Sequence, residues 1–252
     1  ITKQIADVED LVTRGCDVIL LNPADPKALL PAAETVAEAK IPLVIVDSEI
    51  DPSAQRISDI RADNYSIGLM VGEYLAKHFG GKAVRMAIIS GAQGNPVGLT
   101  RRRGVMAGFC EQSIVLRNHA SLEIVSQGWG GWTHEGGLKA MEDILVAHKN
   151  IDVVFAENDS MGLGALQAIK EAGRDKEIVV AGIDGEKAAY ELIMKGEYLV
   201  SGMDNPTLLG QQSIDLAVAV ARGEKVSPVT YTLAVAVSKE NVNTYYNPAS
   251  KF

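Results

Sequence analysis

The sequence predicts an α/β protein built on parallel sheets, and three observations support this class. Apolar runs of strand length alternate with segments of helical periodicity along the 252-residue chain, as in repeated βαβ units. The runs are apolar at consecutive positions, as in Val18–Leu21, which is typical of strands covered by helices on both faces. The runs also end on polar residues, and ligands of open α/β sheets bind beyond the carboxyl ends of parallel strands.

Six predicted strands end on a residue that can hydrogen-bond a hydroxyl group. In chain order they are DVILLNP at Asn22, IPLVIVD at Asp47, VRMAIIS at Ser90, DVVFAEND at Asn158, IVVAGID at Asp184 and YLVSGMD at Asp204. Any one of these residues is explained by turn chemistry, because Asn and Asp favour strand exits. Six of them together predict a binding site for a polar small molecule.

Six segments between the strands carry apolar residues three and four positions apart and are predicted helices. They cover residues 27–39, 66–78, 137–147, 162–172, 186–195 and 208–221. Gly173 and Gly196 follow two of these segments, each with a lysine in the preceding turn, and are typical C-terminal stop signals.

Composition and charge exclude several functional classes. The net charge is −8, and basic residues are scattered except at 101–103, so we expect no nucleic-acid partner. No apolar stretch reaches the roughly 18 residues that span a bilayer. Cys16 and Cys110 have no metal-ligand spacing and are most simply small buried hydrophobic residues.

The sequence motifs of common α/β enzymes are missing. There is no dinucleotide-binding glycine pattern, phosphate-binding loop, nucleophile elbow or zinc-protease helix. His134-Glu135 lacks a second imidazole one turn later, and the four histidines are best interpreted as solvated surface residues. A paired-carboxylate site stays open for four acidic residues, namely Asp59, Asp63, Glu157 and Asp159. We expect no catalytic residue, metal or cofactor.

Several segments carry a family resemblance that covers essentially the whole chain. They include GCDVILLNPADPKAL, IPLVIVDSEI, ADNYSIG, VVFAENDSMGLGALQAIKEAG and VVAGIDGEKAAYELIMKGEYLVSGMDNP. They resemble the ribose-binding-protein branch of periplasmic sugar-binding proteins, the substrate receptors of ABC importers. The resemblance implies two Rossmann-like lobes joined by three crossing segments, with a sugar held between them. Lobe one would hold residues 1–62 and 205–231, and lobe two residues 63–204 and 232–252.

The resemblance also implies a set of ligand-binding residues. They are Asn22 and Asp47 in lobe one, Arg101, Trp132, Asn158 and Asp184 in lobe two, and Asp204 at a hinge. A carboxylate can accept from two neighbouring hydroxyls, so Asp47 and Asp184 should contribute most to affinity. Trp132 would stack on the sugar, whereas a packing role is equally plausible for Trp129. Arg101 is expected to open a helix whose next two arginines are solvated.

Four departures from the family pattern change the expectation. Ser48 and Asp204 stand where the ribose receptor has an arginine and a glutamine, and Ile183 stands where it has an aromatic residue. Fewer donors and more acceptors make ribose itself doubtful, and favour another pentose, a hexose or an acyclic polyol. Family members also begin with a strand, a helix and a strand before the helix that here reads ITKQIADVEDLVTRG. Lobe one is therefore expected to be incomplete and to be the less stable lobe.

The resemblance implies partners and a location, and two rival functions stay open. A receptor would deliver its sugar or polyol to the membrane permease of an ABC importer, and we expect it to be a monomer. It would be periplasmic, or extracellular and lipid-anchored in a Gram-positive cell. The effector-sensing domain of a LacI-type transcriptional regulator shares the fold and is the main alternative. A sugar-modifying enzyme is the other.

Overall fold

A computed structural model describes residues 1–252 and confirms the predicted α/β class. The helices are α1 (Thr2–Thr13), α2 (Leu30–Glu38), α3 (Asn64–His78), α4 (Pro96–Arg117), α5 (His134–Ala147), α6 (Asp159–Glu171), α7 (Lys187–Lys195), α8 (Pro206–Ala221) and α9 (Val242–Tyr245). The strands are β1 (Ile19–Leu21), β2 (Leu43–Val46), β3 (Ser58–Ala62), β4 (Val84–Ser90), β5 (Leu122–Trp129), β6 (Val153–Ala156), β7 (Val179–Asp184), β8 (Val200–Met203), β9 (Val229–Thr232) and β10 (Ala236–Ser238).

The chain forms two compact units, so it passes from one to the other three times. Unit 1 consists of Ile1–Asp63 and Asn205–Thr232, and unit 2 consists of Asn64–Asp204 and Leu233–Phe252. The three passages lie after residues 63, 204 and 232.

Unit 1 is a four-stranded parallel sheet in the order β1-β2-β3-β9 with helices packed on it. The small side chains of α2, among them Ala33 and Val36, are fully buried in one core with the β1 and β2 residues Ile19 and Ile45. Helix α8 contributes Leu209 and Val220 to a second core. Strand β2 supplies buried residues to both cores, because successive side chains of a strand point to opposite faces.

Unit 2 is a six-stranded sheet in the order β10-β8-β7-β6-β4-β5. All pairings are parallel except that of β10 with β8, which is antiparallel. All four residues of β6 are buried, as expected of a central strand covered on both faces. The core joins the strands to α5, α6 and α7 through residues such as Met141, Ile169 and Ile193.

Glycines allow helices α3 and α4 of unit 2 to pack with their backbones in close contact. A Cβ on Gly68 or Gly72 would overlap the α4 carbonyl oxygens of Arg101 and Val105. A Cβ on Gly104 or Gly108 would overlap α3 carbonyls in the same way. This close approach fixes the position of α4, the helix that carries Arg101.

The sequence predicted the order of the elements better than their ends. Helix α2 begins at Leu30, not at residue 27, because Asp25 Oδ1 accepts from the Lys27 and Ala28 amides and holds a turn before the helix. Strand β3 was not predicted: its sequence, SDIRA, alternates charged and apolar residues in a short run. Cys16 and Cys110 are free and only partly buried, so the expectation that they are buried was wrong.

Candidate functional site

In unit 2, three of the predicted site residues lie at the carboxyl ends of neighbouring parallel strands. Asn158 follows β6 after one residue, Asp184 is the last residue of β7, and Asp204 follows β8 directly. Strands β6, β7 and β8 are hydrogen-bonded neighbours. The strand order therefore brings these polar side chains to one edge of the sheet, where ligands of open α/β sheets bind.

Arg101 connects two of these strand ends. Its Nη1 donates to Asp184 Oδ1 at 2.7 Å, and its Nη2 donates to Asp204 Oδ2 at 2.8 Å. The same guanidinium donates from Nη1 to the Glu157 carbonyl oxygen and from Nε to Asn64 Oδ1, both at 2.8 Å. With the side chain only 5% exposed, the planar fork holds two carboxylates in fixed positions. We call Arg101, Asp184 and Asp204 the Arg101 cluster.

The sequence misplaced Arg101 within its helix. Helix α4 begins at Pro96 with Asn95 as its N-cap, so Arg101 lies in the second turn and does not open the helix. The neighbouring Arg102 was wrongly expected to be solvated: it pairs with the buried Glu157 at 2.5 Å. Arg103 is exposed, as expected of the third arginine.

The surroundings of Asp184 make its carboxyl group harder to ionise than a solvent-exposed aspartic acid. Burial raises the pKa of Asp184 to about 7, and the negative charges of Asp159 and Asp204 act in the same direction, against the attraction of Arg101. Asp184 Oδ1 is engaged by Arg101, whereas Oδ2 accepts no hydrogen bond from the protein. The side chain keeps 20% of its surface exposed, so Oδ2 can accept a hydrogen bond from a ligand.

Trp132 is held in place by its loop and by two glycines. A Cβ on Gly91 would overlap the indole ring, and a Cβ on Gly98 would lie 3.2 Å from it, so the ring packs against both backbones. The Trp132 carbonyl oxygen accepts from Asn158 Nδ2 at 3.3 Å. The ring is half-buried, which leaves part of it accessible to a ligand.

Asn158 has a structural role that the sequence did not separate from ligand binding. Its Oδ1 accepts from the Met161 amide at 3.0 Å and caps helix α6. Its Nδ2 carries two hydrogens, and only one is needed for the Trp132 carbonyl. One N–H of Asn158 is therefore left to donate to a ligand.

Trp129 and Ser90 lie in other surroundings. Trp129 is 48% exposed and lines a groove between β5 and α5, together with Lys139, Asp143 and Ile144. Ser90 is fully buried and donates to Glu157 Oε1 at 2.9 Å. Ser90 thus belongs to the interior, although its position at a strand end predicted a ligand contact.

The acidic residues considered for a paired-carboxylate site have other partners. Asp59 pairs with Arg56 at 2.6 Å in unit 1. In unit 2, Glu157 is bonded to Arg102 and Asp159 accepts from the Ser201 hydroxyl. The structure also brings together no group of three or more histidine, cysteine or acidic side chains that could hold a metal ion. None of its helices has the length and apolar character needed to cross a membrane.

In unit 1, the predicted residues Asn22 and Asp47 form a pair. Asn22 follows β1 and Asp47 follows β2, and these strands are parallel neighbours. Asn22 Nδ2 donates to Asp47 Oδ2 at 3.1 Å, and Asn22 Oδ1 lies 3.4 Å from the Ser48 amide. Gln4 of α1 donates to the Asn22 carbonyl oxygen and orients the loop. This pair lies nearer the solvent than the Arg101 cluster.

Three predicted site residues adopt a backbone conformation that is rare for residues other than glycine. The φ angles are +65° at Asp47, +67° at Trp132 and +129° at Asp184. Only Lys40 and Asn118 share a positive φ among the other non-glycine residues. Such conformations cost free energy and are concentrated at functional sites, so they support the selection of these three residues.

Asn64 contacts the Arg101 cluster but was not predicted from the sequence. Asn64 is the first residue of α3 and accepts from Arg101 Nε. It lies in the ADNYSIG segment, where a polar residue at a helix start was visible but was readily explained as a helix cap.

Comparison with known proteins gives consistent matches over most of the chain. The family model described as periplasmic binding protein domain matches residues 1–225. A ribose import binding protein of Bacillus subtilis is 33% identical over 225 residues, which cover 89% of this chain and 70% of that protein.

Two solved structures are similar in fold and sequence. A periplasmic solute-binding protein from Actinobacillus succinogenes with bound D-allose has a TM-score of 0.87 and 27% identity, covering 96% of this chain and 85% of that one. A solute-binding protein from Bacillus halodurans with bound myo-inositol has a TM-score of 0.85 and 30% identity, covering 97% and 82%. Both are described as ABC transporter proteins.

Proposed function

This chain belongs to the periplasmic binding protein domain family, and we propose that it is the solute-binding receptor of an ABC-type importer for a monosaccharide or polyol. The relatives and similar structures that bind ribose, D-allose and myo-inositol support this class of ligand. The two compact units would be the two lobes of the receptor.

The Arg101 cluster is the observation that carries the proposal. A hydroxyl group donates one hydrogen bond and can accept two. A sugar therefore needs both acceptors and donors in fixed positions. Asp184 Oδ2 can accept from a hydroxyl, and Asn158 Nδ2 can donate to one. Because Arg101 holds both carboxylates before the ligand arrives, little conformational entropy is lost on binding.

The remaining predicted residues offer further groups that can contact a sugar. The exposed part of the Trp132 ring can cover an apolar C–H face of the ligand. Asn22 and Asp47 offer an amide and a carboxylate from unit 1. We propose that the ligand-binding residues are Asn22, Asp47, Arg101, Trp132, Asn158, Asp184 and Asp204.

The family also supports a role for the bound ligand. We propose that it binds the sugar without changing it and passes it to the permease subunits of the importer. It would act as a monomer in the periplasm, or outside the membrane of a Gram-positive cell as a lipid-anchored protein. No cofactor is required for this role.

A ligand screen followed by titration tests the proposal. D-ribose, D-allose, D-galactose, myo-inositol, xylitol and glycerol are screened by thermal shift, and positive compounds are titrated by isothermal calorimetry. At least one should bind and be recovered unchanged, as checked by mass spectrometry. Asp184→Ala should weaken binding by about 2 kcal/mol, or roughly 30-fold, through loss of a charged acceptor.

Arg103→Ala is the matched control, because Arg103 is the exposed neighbour of Arg101 and should leave affinity unchanged. A panel without a single binder, or a compound that is chemically converted, would contradict the receptor function. Wild-type affinity in Asp184→Ala would show that the ligand lies elsewhere.

A further inference from the structure

Asp159 is a fully buried carboxylate in unit 2 with four hydrogen-bond donors. Its Oδ2 accepts from the Ser201 hydroxyl at 2.5 Å, the Gly185 amide at 2.8 Å and the Glu186 amide at 3.0 Å, and its Oδ1 accepts from the Tyr198 hydroxyl at 3.0 Å. Two of these donors are backbone groups of the turn between β7 and α7. That turn begins immediately after Asp184.

The turn that follows Asp184 has a strained backbone. Asp184 has a φ of +129° and the next residue, Gly185, has a φ of +78°. A non-glycine residue keeps such a conformation only where surrounding contacts enforce it. The hydrogen bonds that the Gly185 and Glu186 backbone amides donate to Asp159 provide such contacts.

We propose that Asp159 is a positioning residue for ligand binding, because it fixes the turn that orients the Asp184 carboxylate and adds a negative charge behind it. This inference rests on the proposed function. Asp159 does not touch the ligand in this scheme: it acts through Asp184. Its side chain is completely inaccessible to solvent, whereas the Asp184 side chain keeps 20% of its surface exposed.

The negative charge of Asp159 affects the pKa of Asp184. Arg101 of α4 faces Asp184, as do Asp204 after β8 and Asp159 at the start of α6. Burial raises the pKa of Asp159 to about 6, with Glu186 as a further negative neighbour, so it is largely ionised at pH 8. In that state its charge helps to raise the pKa of Asp184.

Two substitutions separate the positioning role from the charge. In Asp159→Asn, the amide oxygen can still accept from Gly185 and Glu186, while the amide NH₂ can donate to the Tyr198 oxygen. That variant keeps the turn and removes the charge. In Asp159→Ala both are lost.

The variants are titrated by calorimetry between pH 5.5 and 8.5 with the sugars and polyols named above. We expect Asp159→Ala to bind at least about tenfold more weakly than wild type, and Asp159→Asn to stay within about threefold at pH 8. In Asp159→Asn, the loss of affinity on acidification should also begin at a lower pH than in wild type. Without the negative charge of residue 159, the pKa of Asp184 falls and its carboxylate stays ionised to a lower pH.

Tyr198→Phe is the matched control, since it removes one donor from the same carboxylate and leaves both turn amides in place. At pH 8, where Asp159 is ionised with or without this donor, its affinity should equal that of wild type within about twofold. Hydrogen exchange at the Gly185 and Glu186 amides adds a direct readout. The Glu186 amide should exchange slowly in wild type and Asp159→Asn and quickly in Asp159→Ala, whereas the Gly185 amide also donates to the Ser201 hydroxyl oxygen at 3.1 Å and should change less.

Wild-type affinity in a folded Asp159→Ala would overturn the inference. If that variant does not fold, the outcome depends on Asp159→Asn: a shifted pH profile supports the inference and an unchanged profile overturns it. Failure of wild type to bind any compound of the panel would instead contradict the proposed function itself.

Discussion

Unit 1 and unit 2 hold their predicted ligand-binding residues in different ways. In unit 1, Asn22 and Asp47 bond to each other at 3.1 Å near the solvent, and no arginine pairs with Asp47. In unit 2, Arg101 is 5% exposed and bonds to both Asp184 and Asp204. In unit 2, therefore, the ion pairs that hold the predicted ligand-binding residues should also contribute to the stability of the unit. In unit 1, the exposed hydrogen bond between Asn22 and Asp47 should contribute little to stability.

This comparison predicts how strongly substitutions in each unit change the free energy of unfolding. A buried charge that loses its partner pays its full desolvation cost, whereas a partly exposed charge is still hydrated. Substitutions in the Arg101 cluster should therefore destabilise the protein strongly, and substitutions at Asp47 should destabilise it much less.

The largest effect is expected for Arg101→Ala. It leaves Asp184 and Asp204 without their guanidinium partner, and removal of one partner of a buried ion pair costs about 3–5 kcal/mol. Urea denaturation followed by circular dichroism measures the loss. Arg103→Ala, one exposed position in the same helix, should change the unfolding free energy by less than about 0.5 kcal/mol. Equal effects of the two variants would contradict the role assigned to the Arg101 cluster.

The pH dependence of stability gives a second test in unit 2. Because the pKa of Asp184 is raised from 3.8 in the unfolded chain to about 7, its ionisation costs more in the folded protein. The stabilisation that protonated Asp184 gives the folded protein is therefore lost as pH rises from about 4 to about 7. Above pH 7 the unfolding free energy no longer changes through this residue.

Asp184→Asn removes this titration while keeping an acceptor for Arg101. Relative to that variant, wild type should lose about 2 kcal/mol of unfolding free energy between pH 5 and pH 8. Denaturation curves at several pH values measure the difference. A constant difference between the two proteins would show that Asp184 is ionised throughout this range.

Helix packing provides a third comparison between the units. Gly72 in α3 of unit 2 has no room for a Cβ because of the Val105 carbonyl of α4, whereas Gly210 in α8 of unit 1 has no atom near that position. Gly72→Ala should cost about 1–3 kcal/mol through overpacking. Gly210→Ala should instead stabilise by up to about 1 kcal/mol, because alanine favours helix. Thermal unfolding by calorimetry gives both values, and destabilisation by Gly210→Ala would contradict the open packing of α8.

The sequence predicted the alternation of strands and helices where the buried strands are apolar runs, as in β2 and β6, and it missed β3, whose sequence SDIRA is not such a run. It could not show which strand ends face a ligand. Ser90 and Asp184 both end such runs, yet Ser90 bonds to the buried Glu157 and Asp184 keeps an accessible oxygen. The residue at the carboxyl end of a predicted strand can be read from a sequence. The partner of its side chain depends on contacts between segments that are distant in the chain.

The adjacent arginines of α4 show the same limit. Arg101 and Arg102 have the same chemistry, and only the family resemblance distinguished them. On a helix they point in directions about 100° apart, so Arg101 meets Asp184 and Arg102 meets Glu157. Asn64 was missed for a related reason, since its partner Arg101 lies 37 residues further along the chain.

The smallest effect on stability is expected at the unit 1 pair. Asp47→Ala removes a solvent-exposed hydrogen bond from Asn22 and places alanine at a φ of +65°, so the unfolding free energy should fall by no more than about 1 kcal/mol. Affinity for the bound sugar or polyol should nevertheless fall by about 2 kcal/mol, because a charged acceptor is lost. Urea denaturation and calorimetric titration of the same protein sample separate the two quantities. Asn22→Ala should behave in the same way with a smaller loss of affinity, since an amide is a weaker partner than a carboxylate. If Asp47→Ala destabilised the fold as much as Arg101→Ala, the contrast between the two units would be wrong.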